Sequence, residues 1–185
     1  MKILVACEFS GIVRDAFTTL GHDATSCDLD PSETPGKHLR CDVRIILGQG
    51  WDMMIAHPPC DHLARSGGAR FAEKRANGMQ QEALNFVQTL MNAPIPRICI
   101  ENPVGVISTY IRKPDQYIEP FHFGRMESKK TGLWLKNLPL LVPTKIVPVV
   151  FTWTYQQGES SFRKKDRSRT FQCIADAMAA QWGYL

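Results

Sequence analysis

The sequence predicts an α/β fold, a mostly parallel sheet with helices on both faces. Two observations carry this. Short strand-like runs recur at residues 2–7, 23–28, 52–56 and 97–100, each of strand length. Between the first two, Ile12, Val13, Ala16, Phe17 and Leu20 recur at helical spacing. Between the last two, Ala83, Leu84, Phe86, Val87, Leu90 and Met91 do the same. Strands alternating with amphipathic helices build parallel βαβ units.

Taken in order, residues 2–7 (KILVAC) read as a fully buried strand. Ser10 is placed to cap the first helix, and Gly21 to stop it. Residues 23–28 form the second strand, ending in Asp28-Leu29-Asp30-Pro31. Strand, glycine turn, helix, strand and acidic residue open a dinucleotide-type fold. The acid follows the glycine by about twenty residues, the spacing a ribose contact uses. The turn holds one glycine, Gly11, so a plain βα turn stays an equal reading. Residues 31–40 read as polar turn, and Cys41 to Arg44 as a strand end with a second acid, Asp42.

The strand 52–56 runs into His57-Pro58-Pro59-Cys60. Proline has no N–H to continue a ladder, so the chain leaves the sheet here and carries Cys60 on a rigid turn. Residues 61–78 read as a polar, mobile loop, and Gln80–Met91 as a helix stopped by Pro94 and Pro96. The strand 97–100 ends at Glu101-Asn102-Pro103, followed by a short helix from Val104 to Tyr110. Residues 111–132 read as irregular, Leu133–Leu135 and Thr144–Phe151 as strands, 155–169 as a basic loop, and Phe171–Trp182 as a last helix. Ile174, Met178, Ala179 and Trp182 share one face of that helix. One domain, 1–185, is expected.

Among 185 residues, 44% are hydrophobic and 22% charged, which fits an ordered domain. No apolar run has membrane-spanning length, and the N-terminus lacks signal-peptide features, so a cytoplasmic location is expected. The six cysteines show no CxxC pair, so buried free thiols are expected, with no metal. A net charge of +4 permits nucleic-acid binding without requiring it. The run Arg163-Lys164-Lys165-Asp166-Arg167-Ser168-Arg169 is the strongest candidate for phosphate contact, and Lys129-Lys130 a smaller one.

A thiolate adds to electron-poor ring carbons as well as to carbonyls. Alone, Cys60 reads as a packed thiol ahead of a nucleophile, a preference that its place after two prolines weakens; His57 and His62 nearby keep a Cys–His arrangement open. Glu101 reads as a helix-capping carboxylate or, if burial raises its pKa, as a group that donates to a heterocycle.

The motif order resembles the DNA (cytosine-5) methyltransferases. Phe9-Ser10-Gly11 is similar to their cofactor loop, Asp28-Leu29-Asp30-Pro31 to their second-strand acid, and Asp42-Val43 to their third acidic site. Pro58-Pro59-Cys60 resembles their catalytic PPC, Glu101-Asn102-Pro103 their ENV, and 171–182 their closing helix. The resemblance implies a Rossmann-like, S-adenosylmethionine-dependent methyltransferase fold. It implies S-adenosylmethionine as cofactor, held by Phe9, Ser10, Gly11, Asp28, Leu29, Asp42, Val43 and Pro58. It implies Cys60 adding to C6 of a cytosine in DNA, and Glu101 binding N3 and the exocyclic amine. Pro59, Asn102, Arg125, Lys129, Lys130, Arg163, Lys164 and Lys165 are the expected substrate contacts. The sequence departs from the family at Ala56-His57, at Asp61 in place of glutamine, and at ENP in place of ENV. Only 111–170 is left for a reduced recognition insertion, which resembles compact bacteriophage versions. Three alternatives follow: the same chemistry on a free pyrimidine nucleotide or with a modified donor group, a catalytically silent homologue that binds DNA or a partner, and an exocyclic-nitrogen methyltransferase with a degenerate HPPC motif.

Overall fold

The computed structural model describes residues 1–65, 71–152, 166 and 168–185, with 151–152 described as backbone alone. The first strand, β1 (Lys2–Ala6), lies between β2 (Asp23–Asp28) and β4 (Met53–Ala56). Beyond these lie β3 (His38–Arg40) and β5 (Arg97–Pro103), all parallel. Past β5 the chain order and sheet order part. The edge strand is β6 (Gln116–Ile118), and β8 (Thr131–Lys136) slots between it and β5, antiparallel to both. The two-residue β7 (Glu127–Ser128) pairs with β9 (Phe151–Thr152) outside this sheet.

Side chains alternate across the sheet, as the two-residue period requires. Leu4, Ala6, Met54, Ala56, Ile98 and Ile100 face α3 (Met79–Met91). Ile3, Val5, Met53, Ile55, Cys99 and Leu133 face α1 (Ile12–Thr19) and the last helix, α5 (Gln172–Trp182). Ile174, Met178, Ala179 and Trp182 are buried there, the face expected from their spacing. Two short helices complete the fold, α2 (Phe71–Ala76) and α4 (Ile107–Tyr110). No helix among the described residues is long and apolar enough to cross a membrane.

Several expected boundaries are corrected. The polar stretch 31–40 ends in β3, and Cys41 to Arg44 leads into a 3-10 turn, Val43–Ile45, rather than a strand end. Part of the expected loop 61–78 is α2; residues 66–70 lie outside the described residues. The stretch 111–132 holds β6, β7 and the start of β8, so part of the expected recognition insertion belongs to the main sheet. Thr144–Val150 forms no strand. Pro148 has no N–H to give, and Ile146, Val149 and Val150 point to solvent. Strand β5 runs through Glu101 to Pro103, because β8 pairs beside it to the end, Glu101 opposite Leu133 and Pro103 opposite Thr131.

Ser10 does not cap α1 alone. The buried Glu8 carboxylate accepts from the N–H of Val13 at 2.7 Å and of Arg14 at 3.2 Å, and Ser10 Oγ accepts from Ile12 N–H at 3.3 Å. All six cysteines are free thiols, with Cys27 and Cys99 buried.

Candidate active site

The sheet register brings the two expected strand-end groups together. One step past the paired Ala56 and Ile100, His57 and Glu101 stand side by side. Two residues beyond Ile55 and Cys99, they share the face that those residues share. Their side chains touch: His57 Nδ1 donates to Glu101 Oε2 at 2.9 Å, with only 7% and 14% of the two side chains exposed. Burial pushes the Glu101 carboxyl up. The hydrogen bond and charge of His57, the Lys129 ammonium and the Thr131 hydroxyl outweigh it and hold the group below the usual carboxylate range. The expectation of a raised, proton-donating Glu101 is corrected: the carboxylate is kept ionised. Nε2 of His57 is buried and has no hydrogen-bond partner among the described residues, while Thr170 Oγ1 lies 3.4 Å from Nδ1.

Cys60 sits on a turn fastened from both sides. His57 N–H still donates to Ala6 O at 2.9 Å, and then the two prolines end the ladder. Asn102 Nδ2 donates to Pro58 O at 2.8 Å. The Cys60 carbonyl accepts from Leu63 and Ala64 N–H at 3.0 and 2.8 Å. Ala64 then bridges to Gly105, where an added Cβ would lie 1.9 Å from Leu63 O. The thiol is half-buried. Burial first, then the charges of Asp61 and Glu101, push it up, and the Lys129 charge pulls it down. Lys129 acts on both Cys60 and Glu101, and its Nζ donates to Arg169 O at 3.4 Å.

The ends of β1 and β2 form a second part of the same rim. Gly11 holds φ at +79°, and a Cβ there would lie 2.2 Å from Thr34 Oγ1, so this turn takes glycine for space as well as torsion. Arg14, fully buried, donates to Ser26, Ser32, Thr34 and Pro35 and pins the β2–β3 loop over the turn. Asp28 Oδ1 accepts from Asp30 N–H at 2.9 Å, and Leu29 beside it is 70% exposed. Asp42 caps the 3-10 turn and pairs with Arg44 at 2.5 Å, which holds its carboxyl below the usual range. Over Cys7, Glu8, Phe9, Ser10 and His57 lie Ser168, Arg169 and Thr170, enclosing a cavity of about 10 Å³, roughly room for one water. Arg169 is held there by Glu33 at 2.6 Å and lies over the Phe9 ring.

The structure thus brings Phe9, Ser10, Gly11, Asp28, Leu29, Asp42, Pro58, Cys60, Glu101 and Lys129 to one rim. It sets others apart. The Val43 side chain is in the core, so it offers a ligand only backbone. Asn102 is buried and ties Pro58 through its Nδ2. Pro59 is exposed beside Cys60. Arg125 pairs with Glu127 and lies over Phe171, and Lys130 lies over Tyr117. Arg163, Lys164 and Lys165 lie outside the described residues. Sequence reasoning missed the part of Glu8, Arg14 and His57. Counting two residues on from Ile55 and Cys99 would have paired His57 with Glu101. Among the described residues, no cluster of three or more His, Cys, Asp or Glu is arranged to hold a metal ion.

No protein-family model matches the chain, and no curated protein matches it. A solved structure does: a protein assigned as a DNA modification methyltransferase encoded within an E. coli prophage, at 15% identity and a TM-score of 0.50. The match covers 79% of this chain and 51% of that one, so this chain spans about half the length of that relative. At this identity the likeness is one of fold. Together with the sheet order and the reversed strand β8, it makes this an α/β, Rossmann-like methyltransferase fold.

Proposed function

We propose that this chain transfers a methyl group from S-adenosylmethionine to C5 of a cytosine in DNA, through a covalent bond from Cys60. The observation that carries the reading is the placement of Cys60 and Glu101 at neighbouring strand ends, within the field of one cation, Lys129. The residues of the β1–β2 rim fit the adenosine end of the cofactor. Leu29 offers an exposed apolar surface beside Asp28. The methionine end requires Ser168–Thr170 to move off the β1–α1 turn, since the cavity there is about 10 Å³. When bound, the cofactor supplies the electrophilic methyl group.

The residues of this chain do the rest. Cys60 gives its proton to solvent and, as the thiolate, adds to C6 of the pyrimidine, which makes C5 nucleophilic. Glu101 meets the ring edge opposite. Lys129 favours the thiolate that burial opposes. A cytosine within a duplex must first leave the stack, because the thiol cannot reach C6 between stacked bases.

A second reading keeps the chemistry on a free pyrimidine nucleotide. It is favoured by β6 and β8, which take into the main sheet residues otherwise left to read DNA sequence. The test is incubation of the protein and cofactor with DNA containing 5-fluorocytosine, with 5-fluoro-dCMP in parallel. A covalent complex with the DNA that is lost in Cys60→Ser is expected. A complex with the nucleotide alone moves the substrate, and none with either overturns the chemistry.

A further inference from the structure

The His57–Glu101 pair bears on which pyrimidine this site accepts. Cytosine presents a lone pair at N3, and a carboxylate facing it must first gain a proton. Uracil presents an N3–H, which an ionised carboxylate accepts directly. Glu101 Oε2 is engaged by His57 at 2.9 Å and the carboxylate also accepts from the Thr131 hydroxyl, so part of its accepting capacity is spent before a ring arrives. The carboxylate is also kept charged by its surroundings. The two sites of negative charge in the reaction differ as well. Addition of a thiolate to C6 of cytosine drives charge onto N3, whereas addition to uracil drives it onto O4. A fixed cation, Lys129, acts on both Cys60 and Glu101 and is suited to charge on oxygen.

We propose that His57, by occupying Oε2 of Glu101, is a positioning residue that extends this site to a pyrimidine carrying hydrogen on N3, a uracil base. The inference rests on the C5-transfer reading above. The step balances without a proton from Glu101. The Cys60 thiolate forms the S–C6 bond, the C5=C6 pair moves to C4–C5, and the C4=O4 pair moves onto O4. As the O4 pair returns, C5 takes the methyl group from the donor's sulfonium; the S–CH3 bond breaks and its pair stays on that sulfur, which leaves as a neutral thioether. Solvent base then takes the C5 proton, its pair re-forms C5=C6, and the thiolate leaves. N3–H stays on the ring throughout, donating to the Glu101 carboxylate.

The experiment compares covalent trapping of single-stranded oligonucleotides that carry one 5-fluorouracil or one 5-fluorocytosine, which removes the cost of unstacking from both. Wild-type protein with S-adenosylmethionine is expected to trap both, each lost in Cys60→Ser. His57→Gly frees Oε2, and its uracil-to-cytosine trapping ratio should fall at least ten-fold. A ratio taken within one protein sample does not change when part of that sample is unfolded. His57→Asn, whose amide still donates to Oε2, should restore the ratio. Trapping of cytosine alone by wild type overturns the role of His57 and leaves the methyl-transfer reading standing. Trapping of uracil alone supports it and removes cytosine from that reading. Trapping of neither overturns both, and an unchanged ratio in His57→Gly overturns the role of His57.

Discussion

Asn102 Nδ2 donates to the carbonyl of Pro58 at 2.8 Å, tying the turn after β4 to the end of β5. Both partners are buried, and the turn it holds carries the thiol. Asn102→Ala leaves the Pro58 carbonyl without its donor inside the protein. It should cost about 1–3 kcal/mol in urea denaturation and should lower Cys60 trapping by more than the loss of folded protein accounts for.

Gly105→Ala attacks the same turn from the other side. The new methyl would stand 1.9 Å from Leu63 O, where Val106 N–H now donates. Backbone must shift, at a cost of about 1–3 kcal/mol. Trapping should fall with it, whereas Gly48→Ala, where a Cβ meets nothing, should leave both unchanged.

Charge around Cys60 has a definite sign. Burial raises the thiol, Asp61 raises it further, and Lys129 lowers it. Asp61→Asn should therefore speed modification of Cys60 by iodoacetamide at neutral pH, by roughly two- to ten-fold. Lys129→Gln should slow it. Peptide mass spectrometry after timed quenching resolves Cys60 from the other thiols; changes in the same direction would remove electrostatics as the control.

Glu101 and Glu8 shift in opposite directions, and stability follows each with its own sign. Glu101 is held below its ordinary value of 4.5 by His57, Lys129 and Thr131 against burial. Its contribution to stability is complete above that value and is lost as pH falls through the lower, folded one. Glu8 is raised by burial, so acidification through its folded value favours the fold. Urea midpoints of Glu101→Gln should fall less than those of wild type on going below pH 4.5, whereas Glu8→Gln should lack the gain that wild type shows on acidification towards pH 4.5 from above.

The strands that the sequence announces are the ones buried on both faces. Ile3–Ala6, Met53–Ala56 and Ile98–Ile100 are apolar without interruption, because each lies between other strands and under helices. His38–Arg40 and Gln116–Ile118 are three residues long and half-exposed at the two edges, so no periodicity marks them. Cys60 and Glu101 were legible because proline must end a ladder, and that rule needs no tertiary knowledge. Glu8 was not, since a carboxylate capping a helix from four residues before its start looks, in one dimension, like any acid in a loop. Arg14 was hidden for the opposite reason. A positive charge within an amphipathic helix reads as solvent-facing, yet four residues of the β2–β3 region close around it.

Ser168–Thr170 lie over the β1–α1 turn, and Thr170 also reaches His57, the neighbour of Glu101. The consequence is an order of arrival. On the proposed C5-transfer reading, a cofactor that settles beside Phe9 and Ser10 displaces residues that touch the His57–Glu101 pair, so a nucleobase would meet a finished site only after that first ligand has docked. Initial-rate patterns of a sequential, compulsory-order mechanism, with product inhibition competitive against the first ligand alone, are the kinetic imprint of that shared roof.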